Sequence, residues 1–256
     1  MSKAQAWPVA EIFGPTVQGE GIDQGAVVTF VRFGGCDFKC SWCDTPHAVL
    51  PEHVRELERL DAITISERLN ALDGYAQWVV LSGGNPALYD LSSLVELLRE
   101  ESWLIAVETQ GTRWKPWLAQ VDRLCVSPKP PSSGMKNTIA QLSDFMDLAL
   151  NGTPRSDSNW LFLKVVVFDD ADLEYAVAVH RLYPGVPMFL SCGNDAGKTV
   201  ANPDRLDLRH PHEVALDLLA DSRRLIDKVQ HHPELAGDVR VQSQYHVLLW
   251  GNKQGV

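Results

Sequence analysis

The chain has 256 residues, 45% hydrophobic and 22% charged, an ordinary balance for a folded protein long enough to bury one large α/β core. Its 33 acidic residues against 23 lysines and arginines give a net charge of −10, which argues against a general nucleic-acid binder or an anionic-membrane binder, since both need a basic face. No apolar run reaches the length of a membrane span, and MSKAQAWPVA lacks the apolar stretch of a secretory leader, so the expected location is cytoplasmic.

The first predicted element is a buried strand, VVTFVRF (27–33), rich in β-branched and aromatic residues. TISERLNALDG (64–74) predicts an amphipathic helix with Thr64 or Ser66 as its cap and Gly74 at its end. Strand WVVLS (78–82) ends in Gly-Gly and is followed by helix LSSLVELLREE (91–101). Strands LIAVET (104–109), RLCVS (123–127) and LFLKVVVF (161–168) come next. Helix DADLEYAVAVHRLY (170–183) carries acids in its first turn, where the helix dipole favours them. Strand PMFLS (187–191), helix 210–232 and strand DVRVQ (238–242) complete the series. SPKPPSSGMKN (127–137) reads as a Pro/Ser/Gly loop and NGTPRSDSN (151–159) as an exposed connection.

Alternating strands and helices predict a parallel sheet with helical crossovers, in which chemistry gathers at the carboxyl ends of the strands. Those ends are Cys36–Thr45, Ser82-Gly83-Gly84-Asn85, Glu108-Thr109-Gln110-Gly111, Ser127-Pro128-Lys129, Ser191–Asp195 and Gln242–His246. All are polar or glycine-rich, as one shared rim would be.

Three of the five cysteines, Cys36, Cys40 and Cys43, fall within eight positions, while Cys125 and Cys192 stand alone. An odd, clustered set without a secretory leader points to metal or redox chemistry rather than a disulfide framework. One reading adds His47 and makes a closed Cys3His zinc site. The other is a [4Fe–4S] cluster held by three thiolates, with one iron open to an external ligand. Zinc modules usually divide their ligands into two distant pairs; compression into one loop directly after a strand favours the cluster.

The spacing C-x3-C-x2-C after the first strand of a βα series resembles the signature of the radical S-adenosylmethionine (SAM) enzymes. SGGNP (82–86) resembles that family's Gly-Gly-Glu-Pro turn, with Asn85 in place of the acid; an amide carbonyl there can accept from the SAM ammonium without bringing charge. Four stretches narrow the likeness: EIFGPTVQGEG (11–21), FVRFGGC…CSWCDT (30–45), VETQGT…VSPK (107–129) and VQSQYHVLLWGN (241–252). In order and almost end to end they resemble the 7-carboxy-7-deazaguanine synthases. The resemblance implies a partial (β/α)6 TIM-like barrel forming one core domain, with an insertion at about 130–160 and a substrate-covering segment at 238–256. It implies conversion of 6-carboxy-5,6,7,8-tetrahydropterin to 7-carboxy-7-deazaguanine with loss of ammonia, using a [4Fe–4S] cluster, SAM and Mg²⁺. A reductant such as flavodoxin or ferredoxin and a homodimer follow from the same likeness.

The resemblance also distributes roles. Cys36, Cys40 and Cys43 hold the cluster. Gly83, Gly84, Glu108, Ser127, Pro128, Lys129, Cys192, Gly193, Asn194 and Asp195 fall to SAM. Val17, Gln18, Gly19, Glu20, Arg32, Ser82, Gln244 and His246 fall to the substrate, and Thr45 to Mg²⁺. The chemistry is apt: Arg32 can clamp a carboxylate through two N–H groups, Glu20 can accept from the pterin's N–H edge, and Gln18 both donates and accepts. Mg²⁺ tolerates a single protein oxygen because water and substrate complete its shell; Asp44 is an alternative ligand or a turn cap. Val247 stands where those synthases often carry a lysine; the tail GNKQGV is longer than in their pattern, where the terminal carboxylate can approach substrate, and its plainer reading is a frayed terminus. Two other functions remain open at this point: a different radical SAM enzyme such as a glycyl-radical-enzyme activase, and a zinc-stabilised binding module.

Overall fold

The computed structural model describes residues 5–136, 138–152, 157, 159–194, 209–237, 239–253 and 255. Seven strands run parallel, in the order β2 (Val27–Phe33), β4 (Trp78–Gly83), β5 (Leu104–Thr109), β6 (Arg123–Val126), β7 (Leu161–Val167), β8 (Met188–Cys192) and β9 (Val239–Gln242). Two more extend the β2 edge antiparallel: β1 (Ala6–Val17) pairs with β2, and β3 (Glu58–Asp61) pairs with β1. Among the described residues the sheet runs β3-β1-β2-β4-β5-β6-β7-β8-β9 and its two ends are not paired, which leaves the barrel partial.

Strand residues alternate faces, and the two faces have different jobs. Val31, Phe33, Val79, Leu81, Ile105, Val107, Leu124, Val126, Leu163, Val165, Leu190 and Cys192 join the main hydrophobic core. Two short helices, α1 (Pro46–Val49) and α2 (Pro51–Glu56), follow the cysteine loop, and the core is covered by α3 (Ala62–Asn70), α4 (Ser92–Glu100), α5 (Thr138–Gly152), α6 (Asp170–Leu182) and α7 (Pro211–Gln230). Their alternates, including Arg32, Ser82, Glu108, Ser127 and Lys164, face the concave side.

Several local expectations shift. The helix predicted from residue 64 begins at Ala62, because Asp61 is the cap: its Oδ1 accepts from Thr64 N (2.9 Å) and Thr64 Oγ1 (2.8 Å). It ends at Asn70, before Gly74. The β5–β6 connection, where the sequence offers no helix, is a 3-10 turn, Pro116–Gln120. β1 escaped the sequence reading because Pro8 and Pro15 break its pattern; a register shift between Phe13 and Thr16 accommodates Gly14-Pro15 within the strand. α5 lies inside the segment treated as an insertion and buries Leu142, Phe145, Met146 and Ala149 at helical spacing.

The turn between β1 and β2 bridges toward β9 on the open side. Gln242 exchanges two hydrogen bonds with the backbone of Gly21, both 2.8 Å, and Gln24 Nε2 donates to Ser243 O at 2.7 Å. Tyr245 N, at the start of α8 (Tyr245–Trp250), donates to Gly19 O at 2.9 Å. Side-chain amides thus do part of what a closing strand ladder would do. Among the described residues no helix is long and apolar enough to cross a membrane.

Candidate active site

A cavity of about 590 Å³ occupies the concave face at the carboxyl ends of the parallel strands. Its wall includes all three clustered cysteines and ionisable residues from both ends of the chain. The deepest charged group is Lys164, on β7. Its Nζ donates to Glu20 Oε2 at 2.9 Å and lies 3.9 Å from Glu108 Oε1. Burial alone would discharge the lysine, but Glu108 and Glu20 outweigh it and hold its pKa well above the ordinary value. Burial likewise pushes Glu20 upward, and Lys164, the nearby Ser191 hydroxyl and His246 together more than reverse this, leaving Glu20 at about 2. Gln18 Nε2 (3.3 Å) and Ser82 Oγ (3.2 Å) donate to Glu108, so four elements converge on one compensated cluster.

A second ionic group forms the wall beside it. Arg32 Nε donates to Glu11 Oε2 at 2.9 Å while its guanidinium lies 5.6 Å from the centre of the Phe13 ring. His47 Nε2 sits 3.2 Å from Glu11 Oε1. The His47 contact and the Arg32 charge hold Glu11 at about 2 against its burial. Two oxygens in the cavity wall are left over: Glu20 Oε1 and Gln244 Oε1 are buried and have no hydrogen-bond partner. A buried acceptor without a donor costs about 1–3 kcal/mol, so this pair is suited to a ligand that brings N–H groups.

The cysteine loop follows β2 directly. All three thiols are free, and Cys43 N donates to Cys40 O at 3.1 Å to fold the loop. Burial pushes Cys36 up to about 12 and Cys40 up to about 11, and it raises Cys43. The thiols are therefore neutral until a metal displaces their protons. The loop fits an iron–sulfur cluster better than zinc. His47, the proposed fourth zinc ligand, is engaged by Glu11, and among the described residues no three His, Cys, Asp or Glu side chains stand close enough together to share one ion. A cluster presents a separate iron to each thiolate and needs no such convergence. Gly84 lets the β4 end approach the loop closely: a Cβ there would collide with Gly35 O and crowd Cys36.

The residues assigned to the substrate from the sequence all line the cavity: Val17, Gln18, Gly19, Glu20, Arg32, Ser82, Gln244 and His246. Gly19 has no Cβ, and this is what lets the His246 ring lie against the β1–β2 turn. Gly83, Gly84, Glu108, Ser127, Lys129 and Asn194 also line it, as does Thr45, whose Oγ1 is 3.4 Å from Cys43 Sγ. Lys129 Nζ donates to Ser127 Oγ at 2.9 Å.

Three expected SAM contacts do not line the cavity: Pro128, Cys192 and Gly193. For Cys192 the cause is strand alternation, which points it into the helix-side core. Asp195 lies outside the described residues. Asn85 also departs from expectation. It is fully buried, and its Oδ1 already accepts from Thr109 Oγ1 (2.9 Å) and Ala87 N (3.2 Å), so it caps a 3-10 turn rather than facing a ligand.

Other wall residues were missed. Lys164 had a readable signal, a lone charge inside the apolar run LFLKVVVF. Glu11 had none, because its pairing with His47, which the sequence offers only as a zinc ligand, joins β1 to the residues after the cysteine loop. Of the two readings of the tail, part of a covering segment or a frayed end, its position suits the first: Gly251, Asn252, Lys253 and Gly255 line the cavity, and Asn194 Nδ2 donates to Asn252 Oδ1 at 2.7 Å.

No family model matches the chain. A 7-carboxy-7-deazaguanine synthase of Bacillus cereus is 42% identical over 251 residues, spanning 97% of this chain and 98% of its own. That of Bacillus subtilis is 42% identical over 255 residues, spanning 99% and 100%. Among solved structures, the crystal structure of QueE from Escherichia coli aligns with a TM-score of 0.60 at 20% identity, covering 94% of this chain and 95% of that one. At that identity the likeness speaks for the fold alone.

Proposed function

The chain belongs to the 7-carboxy-7-deazaguanine synthase family, a radical SAM family, and from that membership we infer the reaction: 6-carboxy-5,6,7,8-tetrahydropterin is converted to 7-carboxy-7-deazaguanine with loss of ammonia, in deazapurine biosynthesis of the queuosine type. The enzyme is a carbon–nitrogen lyase that depends on SAM and an iron–sulfur cluster. Membership disposes of the activase and zinc-module readings.

The residue roles are our own assignment. Cys36, Cys40 and Cys43 would hold a [4Fe–4S] cluster. Gly83, Gly84, Ser127, Lys129 and Asn194 would cradle SAM. When bound, the two supply hydrogen abstraction set off by one electron. Thr45, with substrate oxygens and water, would hold Mg²⁺. The observation that carries the substrate assignment is the pair of orphaned acceptors, Glu20 Oε1 and Gln244 Oε1. The pterin's donor edge would satisfy both, while Lys164 keeps Glu20 ionised and accepting. Arg32, its Nε already used by Glu11, would meet the substrate carboxylate with its remaining N–H groups. Residues 238–256 would cover the substrate and exclude water, within a single core domain carrying the 130–160 insertion.

The test is anaerobic reconstitution with iron and sulfide, then dithionite, SAM, Mg²⁺ and the carboxypterin, followed by mass spectrometry. Product that disappears in Cys40→Ala supports the reading. Formation of 5′-deoxyadenosine with the pterin untouched defeats the substrate assignment.

The physiological setting is also proposed: a reducing cytoplasm, with flavodoxin or ferredoxin as electron donor. A homodimer is supported by an apolar stripe on α7, where Leu216, Leu219 and Ile226 are 67%, 49% and 45% exposed. Light scattering that finds a monomer at micromolar concentration ends that proposal.

A further inference from the structure

Asp37, next to the first cysteine, does not line the cavity; its carboxylate is bonded to residues at the ends of β4 and β5. Oδ1 accepts from Asn85 Nδ2 at 3.0 Å and from Gln110 Nε2. Oδ2 accepts from Thr112 Oγ1 at 2.7 Å and lies 3.4 Å from Arg113 Nε. The position therefore suits Asn85 as a donor, since an acid there would set two carboxylates about 3 Å apart.

Gln110 is buried, and its Nε2 reaches a second acceptor, Cys36 Sγ, at 3.5 Å. Its two amide hydrogens thus serve a carboxylate and a sulfur. A flipped amide would set a carbonyl oxygen against the Asp37 carboxylate, so electrostatics selects the orientation that donates to sulfur. Cys36 Sγ accepts a second bond from Phe38 N at 3.4 Å. N–H donors on a metal-bound thiolate offset its negative charge and favour the reduced, more negative state of an iron–sulfur cluster.

We propose that Gln110, oriented by Asp37, is a positioning residue that donates to the Cys36 thiolate and raises the reduction potential of the cluster. The proposal rests on the cluster assignment made above. Its chemical consequence is that the electron for the reaction is delivered at a potential set partly by Asp37, which lies outside the cavity wall, acting through Gln110, which is part of that wall.

The test is a potentiometric titration of the reconstituted, SAM-free protein followed by electron paramagnetic resonance, with iron counted per chain. Gln110→Leu keeps the side-chain bulk but removes the donor, and its midpoint is expected to move to a more negative potential. Asp37→Asn retains one acceptor oxygen and loosens the orientation of Gln110, so it should move the midpoint the same way by less. Wild-type midpoints in both variants at full iron loading overturn the proposal, and so does a positive shift in Gln110→Leu. If Gln110→Leu loads no iron, the midpoint of Asp37→Asn decides by the same rule. Loss of iron from both, with circular dichroism unchanged, supports the positioning role. A wild-type protein that assembles no cluster fails at the first step and takes the cluster assignment down with it, before any variant is compared.

Discussion

The two faces of β7 show what the sheet has to do. Leu161, Leu163, Val165 and Val167 point into the helix-covered core, whereas Lys164 and Val166 line the cavity. The outward set stabilises by leaving water, at about 25 cal/mol per Å² of apolar surface, and asks little of its neighbours beyond shape. The inward lysine is stable only because Glu20 and Glu108 arrive from β1's following turn and from β5. Adjacent residues of one strand therefore differ in kind: a core leucine can be traded for another apolar side chain, but the buried lysine cannot be changed without stranding two carboxylates.

That contrast can be broken most severely at the lysine. Lys164→Ala leaves Glu20 and Glu108 without their cation, and by the usual cost of breaking a buried pair it should destabilise the fold by about 3–5 kcal/mol. Urea unfolding would show this, and turnover should fall in the fraction that stays folded. Leu163→Ala, one residue away on the other face, should cost about 2–5 kcal/mol through its cavity but leave turnover per folded molecule near wild type. Equal loss of specific activity in the two variants would erase the distinction between the faces.

Glu20→Gln sharpens the comparison by removing charge and keeping shape. Glu108 still compensates Lys164, so stability should fall less than in Lys164→Ala. The lost charged acceptor, at about 1.5–3 kcal/mol, should lower kcat/KM for the pterin by roughly 10- to 100-fold. The smallest effect is in pH. Glu11 and Glu20 are held at about 2 when folded, below the ordinary glutamate value of 4.5. As pH falls from 4.5 toward 2 the unfolded chain therefore binds protons first, and the stability these groups provide above that window is lost within it. Melting temperature against pH should decline there, more shallowly in Glu20→Gln than in wild type.

The strand series, most of the helices and the cysteine loop were legible because each depends on neighbours a few residues apart. Apolar periodicity marks strand and helix wherever one face is buried, and C-x3-C-x2-C is a spacing within one loop. Legibility failed where local signals conflicted with distant ones. β1 looked broken at Pro8 and Pro15, yet pairing on both sides holds it as a strand. α5 was hidden behind the Pro/Ser/Gly loop before it.

Composition, periodicity and motif spacing were sufficient to establish the α/β class, the rim that carries chemistry and the thiolate set, since all three are properties of short stretches. Which polar side chains face one another across that rim is a different kind of fact. The Lys164–Glu20–Glu108 cluster, the Glu11–Arg32–His47 group, the withdrawal of Asn85 and Cys192 from the cavity wall and the arrival of the tail all join residues far apart along the chain. A buried charge or donor takes its partner from whatever the folded sheet brings within about 3 Å, and burial makes that partner obligatory.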